Sequence, residues 1–191
     1  MADTKVTIVY YSMTGTIDTM ARRLAATAEA QGAEVRLRAV GREDAAGAEG
    51  SVERPEQPTA EDITWADVVL FGTPSRYGNI AGRLKVFIDS LGAQWANGEL
   101  ADKVYAGFTA SQTLHGGQEA VLLSLYTTIH HFGGIVVTPG YTDGSKFVDG
   151  NPYGVGHVTG AGNDEPVGDV TNGALDHMVT RAITVSRRLT S

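Results

Sequence analysis

Three short stretches of this sequence gather the groups that grip an anion or a flat ring. The first is Ser12-Met13-Thr14-Gly15-Thr16-Ile17, three hydroxyls and a glycine that run straight into residues with helical spacing. Backbone N–H groups at a helix start, O–H donors and the helix dipole together suit a phosphate. The stretch holds no lysine or arginine, so it is not a Walker A loop, and it lacks the three glycines of a dinucleotide fingerprint. A single phosphate monoester fits it better than a pyrophosphate. The competing reading is ordinary N-capping of a helix by Ser12 or Thr14. The second stretch is Gly72-Thr73-Pro74-Ser75-Arg76-Tyr77-Gly78-Asn79. Its proline and two glycines set an irregular backbone against something flat, which Tyr77 can cover and Arg76 can neutralise. The third, Thr109-Ala110-Ser111-Gln112-Thr113-Leu114-His115-Gly116-Gly117, is again rich in hydroxyls and ends in glycine. Each alone reads as turn chemistry. Three that converge on one crevice do not.

The elements between these stretches say whether they converge. Residues 6–11 are β-branched and aromatic, a buried strand that meets the first loop. Ile17, Met20, Ala21, Leu24 and Ala28 then recur at helical spacing, and Gly32 stands where that helix stops. A second strand at 34–40 completes a βαβ unit with parallel strands and a right-handed crossover. Residues 41–62 are polar, contain Pro55 and Pro58 and show no period, with a weak helix expected near 59–66. The alternation resumes with a strand at 68–71, a helix at 80–91, a strand at 104–108, a helix at 118–132 closed by Gly133, and a strand at 135–138. A loop at 140–170 leads to a last helix at 173–189. Five strands alternating with helices predict an α/β fold, a flavodoxin-like doubly wound parallel sheet of order 2-1-3-4-5 with helices on both faces, as a single domain over 1–191. In that order the ends of strands one, three and four meet at the switch point, and each is followed by one of the three stretches.

Composition removes other chemistries. The 191 residues include no cysteine, which excludes disulfides, thiolate metal sites and a cysteine nucleophile. A net charge of −7 offers no basic stripe for nucleic acid. The longest apolar runs, VVLF and IVV, are far short of the ~20 residues that cross a bilayer. With an N-terminal stretch that reads as a strand, a soluble cytoplasmic protein is expected. His130 and His131 are neighbours on a helix and point about 100° apart, so they cannot chelate one metal ion together. No metal is expected. One of these imidazoles is expected to face a ligand, and Trp95 to line a pocket for a planar substrate. A phospho-receiver needs acids at the first and third strand ends, which here read YYSM and FGTPS, and no G-x-S-x-G elbow is present.

The strings YYSMTGTIDTMA, GTPSRYGNIAGRLKVFID, GAQWANG, HGGQE, TTIHHFG and NPYG resemble, in order and spacing, the WrbA-type NAD(P)H:quinone oxidoreductases. These are flavodoxin-like FMN enzymes, and the resemblance spans essentially the whole chain. It implies that Ser12, Met13, Thr14, Gly15, Thr16 and Ile17 hold the FMN phosphate. Ser75, Arg76 and Tyr77 would lie along the isoalloxazine, with Pro74, Gly78 and Asn79 also cofactor-binding, and Ala110, Ser111, Gln112, Thr113, Leu114, His115 and Gly116 would bind its other edge and the ribityl chain. His131 matches the family's flavin-contacting histidine, and Trp95 matches the aromatic wall shared by nicotinamide and quinone. Many members carry tyrosine where this chain has Thr14, a departure that bears on NAD(P)H affinity more than on FMN.

The implied activity is two-electron reduction of quinones to quinols, with NAD(P)H as donor and the hydride passing through flavin N5. The implied assembly is a homotetramer with active sites completed by neighbours, a use for the long 140–170 loop. An electron-transfer flavodoxin, or a flavin-binding interaction protein linked to stress, would carry the same fold. The 24 glycines sharpen the picture. Gly15, Gly78, Gly116 and Gly117 stand in the three loops, and eight more lie between Gly140 and Gly168.

Overall fold

A computed structural model describes residues 4–41 and 55–190. The first βαβ unit is β1 (Lys5–Tyr10), α1 (Thr16–Ala30) and β2 (Glu34–Ala39), followed by α2 (Ala60–Trp65) and β3 (Val68–Pro74). Then come α3 (Gly82–Asp89), α4 (Gly92–Ala96), β4 (Val104–Ser111), α5 (Gln118–Phe132) and β5 (Ile135–Val136). The chain closes with α6 (Gly144–Asp149), β6 (Val155–Val158) and α7 (Asp169–Leu189). All strand pairs are parallel and the order is β2-β1-β3-β4-β5, as the alternation predicts. The bulk of the 41–62 excursion, residues 42–54, lies outside the described residues.

A sixth strand is the main departure. β5 spans only two residues and pairs with the start of β4, at Val104 and Tyr105. β6 pairs with the end of β4, from Phe108 to Ser111. The fifth place in the sheet is therefore filled by two strands in series, and the stretch between them holds α6. The run expected at 135–138 stops early because Pro139 and the positive φ of Gly140 (55°) turn the chain out of the sheet. Lys146, with no exposed surface, staples the excursion down through Asp149 and the carbonyl of Gly154 at 2.9 Å. Two of the missed elements, α6 and β6, lie inside what reads from sequence as a loop at 140–170. The final helix begins at Asp169, four residues before the expected start.

Side chains on the two faces of the sheet form two cores. On one face Val6, Ile8, Leu70, Ala106 and Phe108 pack against Met20 and Leu24 of α1 and Met178, Ala182 and Ile183 of α7. On the other, Val9, Val69, Phe71 and Tyr105 meet Leu84 and Phe87 of α3 and Leu122, Leu125 and Ile129 of α5. β3 and β4 are buried along nearly their whole length, as central strands covered on both sides must be. Among the described residues, no helix is long and apolar enough to cross a membrane.

The helix expected near 59–66 owes its existence to a capping box. Thr59 Oγ1 accepts from the Asp62 N–H, and the Asp62 carboxylate accepts the Thr59 N–H at 2.9 Å. The same buried carboxylate takes Arg36 at 3.2 Å and Arg38 at 3.1 Å from the edge strand β2, and Arg36 lies over the Trp65 ring. Burial pushes the Asp62 carboxyl up, but Arg38 and Thr59 together outweigh it and hold its pKa below the usual carboxylate value. Asp62 thus binds protons less readily folded than unfolded, and its contribution to stability is present above the ordinary aspartate pKa and lost as pH falls through the depressed one. Asp62→Asn is expected to destabilise the protein at pH 7 and to flatten the acid limb of its stability profile. Urea unfolding of both proteins from pH 7 to pH 3 checks this; parallel profiles would contradict it.

Candidate functional site

The carboxyl ends of β1, β3, β4 and β6 open onto one crevice of about 500 Å³. Ser12, Met13, Thr14, Thr16 and Ile17 form one end. Gly15 occupies the N-cap position of α1 at φ 101°, and no side chain caps the helix. The Ser12 hydroxyl instead accepts the Gly15 N–H at 3.1 Å, ahead of the helix. Capping by Ser12 or Thr14 is therefore not what these hydroxyls do. The first-turn N–H groups stay open, with the helix dipole behind them, and that is the environment an anion seeks. The one acid in the turn, Asp18, is engaged by the buried Tyr10 hydroxyl and by Arg22 at 2.9 Å.

The second wall is pinned to the third by Ser75. Its N–H donates to the Ala110 carbonyl at 2.8 Å, and its hydroxyl donates to the Gly116 carbonyl at 2.5 Å while accepting the Gly78 N–H at 3.2 Å. The loops touch so closely that a Cβ on Gly117 would lie 2.7 Å from Gly78 Cα, and Gly117 also has φ 82°. Only glycine serves there. Between Arg76 and Asn79 the chain reverses in a two-residue turn, with reciprocal N–H to carbonyl bonds of 3.0 Å. Tyr77 (φ 54°) and Gly78 (φ 78°) are both left-handed, the type I′ pattern. A left-handed tyrosine is strained, and its side chain is fully exposed at the crevice mouth. Arg76 reaches the sulfur of Met13 on the opposite side. Among the described residues that line the crevice it is the one cation, and none of them is a carboxylate.

The third wall is Ala110, Ser111, Gln112, Thr113 and Gly116. Ser111 is 7% exposed, donates to the Thr113 carbonyl and accepts from Gln118 Nε2, both at 2.8 Å. Thr159 and Asn163 complete the lining. Sequence reasoning missed both. The available signal was a hydroxyl residue after the alternating run GVGHV, the same strand-end pattern as the other three loops.

Fourteen of the expected cofactor residues line the crevice. Gly15, Gly78, Asn79, Leu114 and His115 belong to its loops without lining it. Trp95 and His131 are not brought there by their own chain. Both line a separate hollow among α3, α4 and the end of α5, where Trp95 Nε1 donates to the His131 carbonyl at 2.8 Å. The reason is the length of α5, which starts beside Ser111 and carries His131 13 residues further on, about 20 Å along its axis. Trp95 lies in a helix, α4, where its sequence shows no period. No cluster of three possible metal ligands occurs among the described residues.

Residues 4–147 match the family described as NADPH-dependent FMN reductase. An NAD(P)H dehydrogenase (quinone) of Deinococcus radiodurans is 38% identical, with 98% of each chain covered. One of Sinorhizobium fredii is 39% identical over 85% of this chain and 87% of its own. Among solved structures, a WrbA-like flavodoxin from Agrobacterium tumefaciens superposes with a TM-score of 0.72 at 25% identity, covering 97% of this chain and 99% of its own.

The strain at Tyr77 is measurable without any ligand. Tyr77→Asn would place the Asn-Gly pair that type I′ turns favour, and is expected to raise the unfolding free energy by about 1 kcal/mol. An unchanged or lower value in urea titrations would mean the turn is not strained.

Proposed function

The chain belongs to the NADPH-dependent FMN reductase family, and from that premise we propose that it is an FMN-dependent NAD(P)H:quinone oxidoreductase that reduces quinones to quinols by two electrons. The observation that carries this reading is the crevice, with an uncapped helix N-terminus at one end and an exposed tyrosine and arginine at its mouth. The residues present fit FMN: hydroxyls and open N–H groups for a phosphate monoester, and a cavity large enough for a ring system. The relatives named NAD(P)H dehydrogenase (quinone) support the same donor and acceptor here.

When bound, FMN would supply the hydride chemistry that links NAD(P)H to the quinone, with N5 as the proposed acceptor atom. The protein's own work is positional. The Ser12–Ile17 segment holds the phosphate through N–H and O–H donors. Ser75 and the Gly117–Gly78 contact keep the second and third walls at one spacing, so the ring is gripped from two sides. Tyr77 supplies an apolar face at the mouth, where stacked partners exclude water. Arg76, a cation on the crevice lining, would offset negative charge on a reduced ring.

Trp95 and His131 enter this scheme from a second subunit. Their hollow is at the far end of α5, so a site that uses them needs a neighbouring copy, and a homotetramer is the assembly proposed. In that role His131 holds a proton donor toward a quinol or flavin oxygen, and Trp95 walls the substrate pocket. A cytoplasmic location, where NAD(P)H is available as reductant, goes with this reading.

The purified protein is expected to take up FMN and to oxidise NADH or NADPH only when benzoquinone is present, which steady-state absorbance measurements check. FMN binding without quinone-dependent oxidation would refute the enzyme and leave the fold. Arg76→Ala is expected to weaken FMN binding roughly tenfold by fluorescence titration, the worth of a charge-assisted contact at an exposed site; unchanged affinity would contradict its placement. In sedimentation, a monomer with full turnover would contradict the supply of Trp95 and His131 by a neighbour.

A further inference from the structure

The crevice has a wall that none of the three loops at the ends of β1, β3 and β4 supplies. The chain leaves β6 at Thr159, whose N–H donates to the Ser111 carbonyl at 2.9 Å. Gln112 Nε2 donates to the Ala161 carbonyl at 2.8 Å, a second tie between the same two loops. Beneath them, buried Gln118 donates from Nε2 to Ser111 Oγ at 2.8 Å and to the His157 carbonyl at 3.3 Å. A Cβ on Gly156 would sit 1.8 Å from Gln118 Oε1, so β6 admits this side chain only because it carries glycine there. On the return, His157 Nε2 meets the Glu165 carbonyl at 3.0 Å and the Glu165 N–H donates to the Thr159 carbonyl at 3.0 Å. The segment is held at both ends and along its length.

Within it, Asn163 sits at φ 56°, a conformation asparagine tolerates better than most residues. Thr159 Oγ1 stands 3.0 Å from Asn163 Oδ1, the nearer of two acceptors for its one proton, the other being the Ser111 carbonyl at 3.3 Å. The carboxamide oxygen is thereby used to orient the side chain, and no hydrogen bond within the described residues uses Nδ2. Asn163 is exposed, so its Nδ2 is open on the crevice wall, where an acceptor on a ligand can take the place of water.

Its position says which part of the ligand. From β1, whose end feeds the anion-binding turn, the sheet runs through β3 and β4 to β6, three spacings or about 14 Å. A phosphate at the start of α1 therefore leaves the Asn163 end of the crevice to the ring. On the reading that the crevice holds FMN, we infer that Asn163 Nδ2 donates a hydrogen bond to a carbonyl oxygen of the isoalloxazine, with Thr159 as its positioning residue. Such a donor grips the reduced ring harder than the oxidised one, because the oxygens of the reduced ring carry more negative charge. It raises the reduction potential as well as the affinity.

Two substitutions keep the left-handed backbone and change only the side chain. Asn163→Gly removes the amide, and Asn163→Asp replaces the donor by a carboxylate of nearly the same shape. For Asn163→Gly, FMN titration is expected to show about fivefold weaker binding of the oxidised cofactor. Dye-coupled redox titration is expected to show a further tenfold loss for the reduced form, a potential about 30 mV lower for the two-electron couple. Asn163→Asp is expected to shift both further in the same direction, and Thr159→Val to shift them less. Unchanged affinity and potential in both Asn163 variants would overturn the assignment, as would an effect confined to the KM for NAD(P)H. A wild-type chain that takes up no FMN would overturn the underlying reading first, and that result is distinct because it appears before any variant is made.

Discussion

Parallel pairing of β1, β3, β4 and β6 sends the carboxyl ends of four strands to the same edge of the sheet. Each strand must then be followed by a turn that starts a return path, and those turns crowd together above the edge. Crowding is relieved by removing side chains where the loops meet, as at Gly117 against Gly78, and by using hydroxyls as short local ties, as at Ser75 and Ser111. What remains is a crevice whose walls are rich in N–H and O–H donors. The helix that leaves β1 adds an uncapped N-terminus at one end. No single loop makes a binding site; the register of the sheet does.

The alternation of strands and helices was readable because buried parallel strands are continuous apolar runs and their crossover helices keep a 3.6-residue stripe. The strand-end chemistry was readable for the same reason, since each loop follows a recognisable strand. The fifth place in the sheet was not. It is built from a two-residue and a four-residue strand on either side of an excursion, too short for period to register, and the excursion is held by one buried pair, Lys146 and Asp149, whose types look like surface charge in a sequence. With β6 unseen, Thr159 and Asn163 could not be placed at a strand end. The competing reading, in which Ser12 or Thr14 caps α1, fails on geometry that sequence does not carry, because a left-handed glycine takes the cap position and turns Ser12 onto its own loop.

Trp95 and His131 present the opposite case, in which the resemblance points to residues that the isolated chain cannot use. α5 is a rigid rod between the crevice and the far end of the sheet, and its C-terminus is closed by the left-handed Gly133. The indole of Trp95 is bonded to the backbone of His131, which ties α4 to the end of α5. On the proposed assembly, their common hollow is the surface that a neighbouring subunit's crevice would meet. Tyr77, left-handed and fully exposed at that crevice's mouth, is likewise without a packing partner in its own chain among the described residues.

The most direct measurement is a comparison of FMN with riboflavin, which differ only in the phosphate. If the open N–H groups and hydroxyls around the start of α1 hold a phosphate monoester, calorimetric titration of the flavin-free protein will give an FMN affinity at least about a hundredfold above that for riboflavin, the worth of two charge-assisted hydrogen bonds. Equal affinity for the two would contradict the phosphate site and with it the placement of every other residue in the crevice.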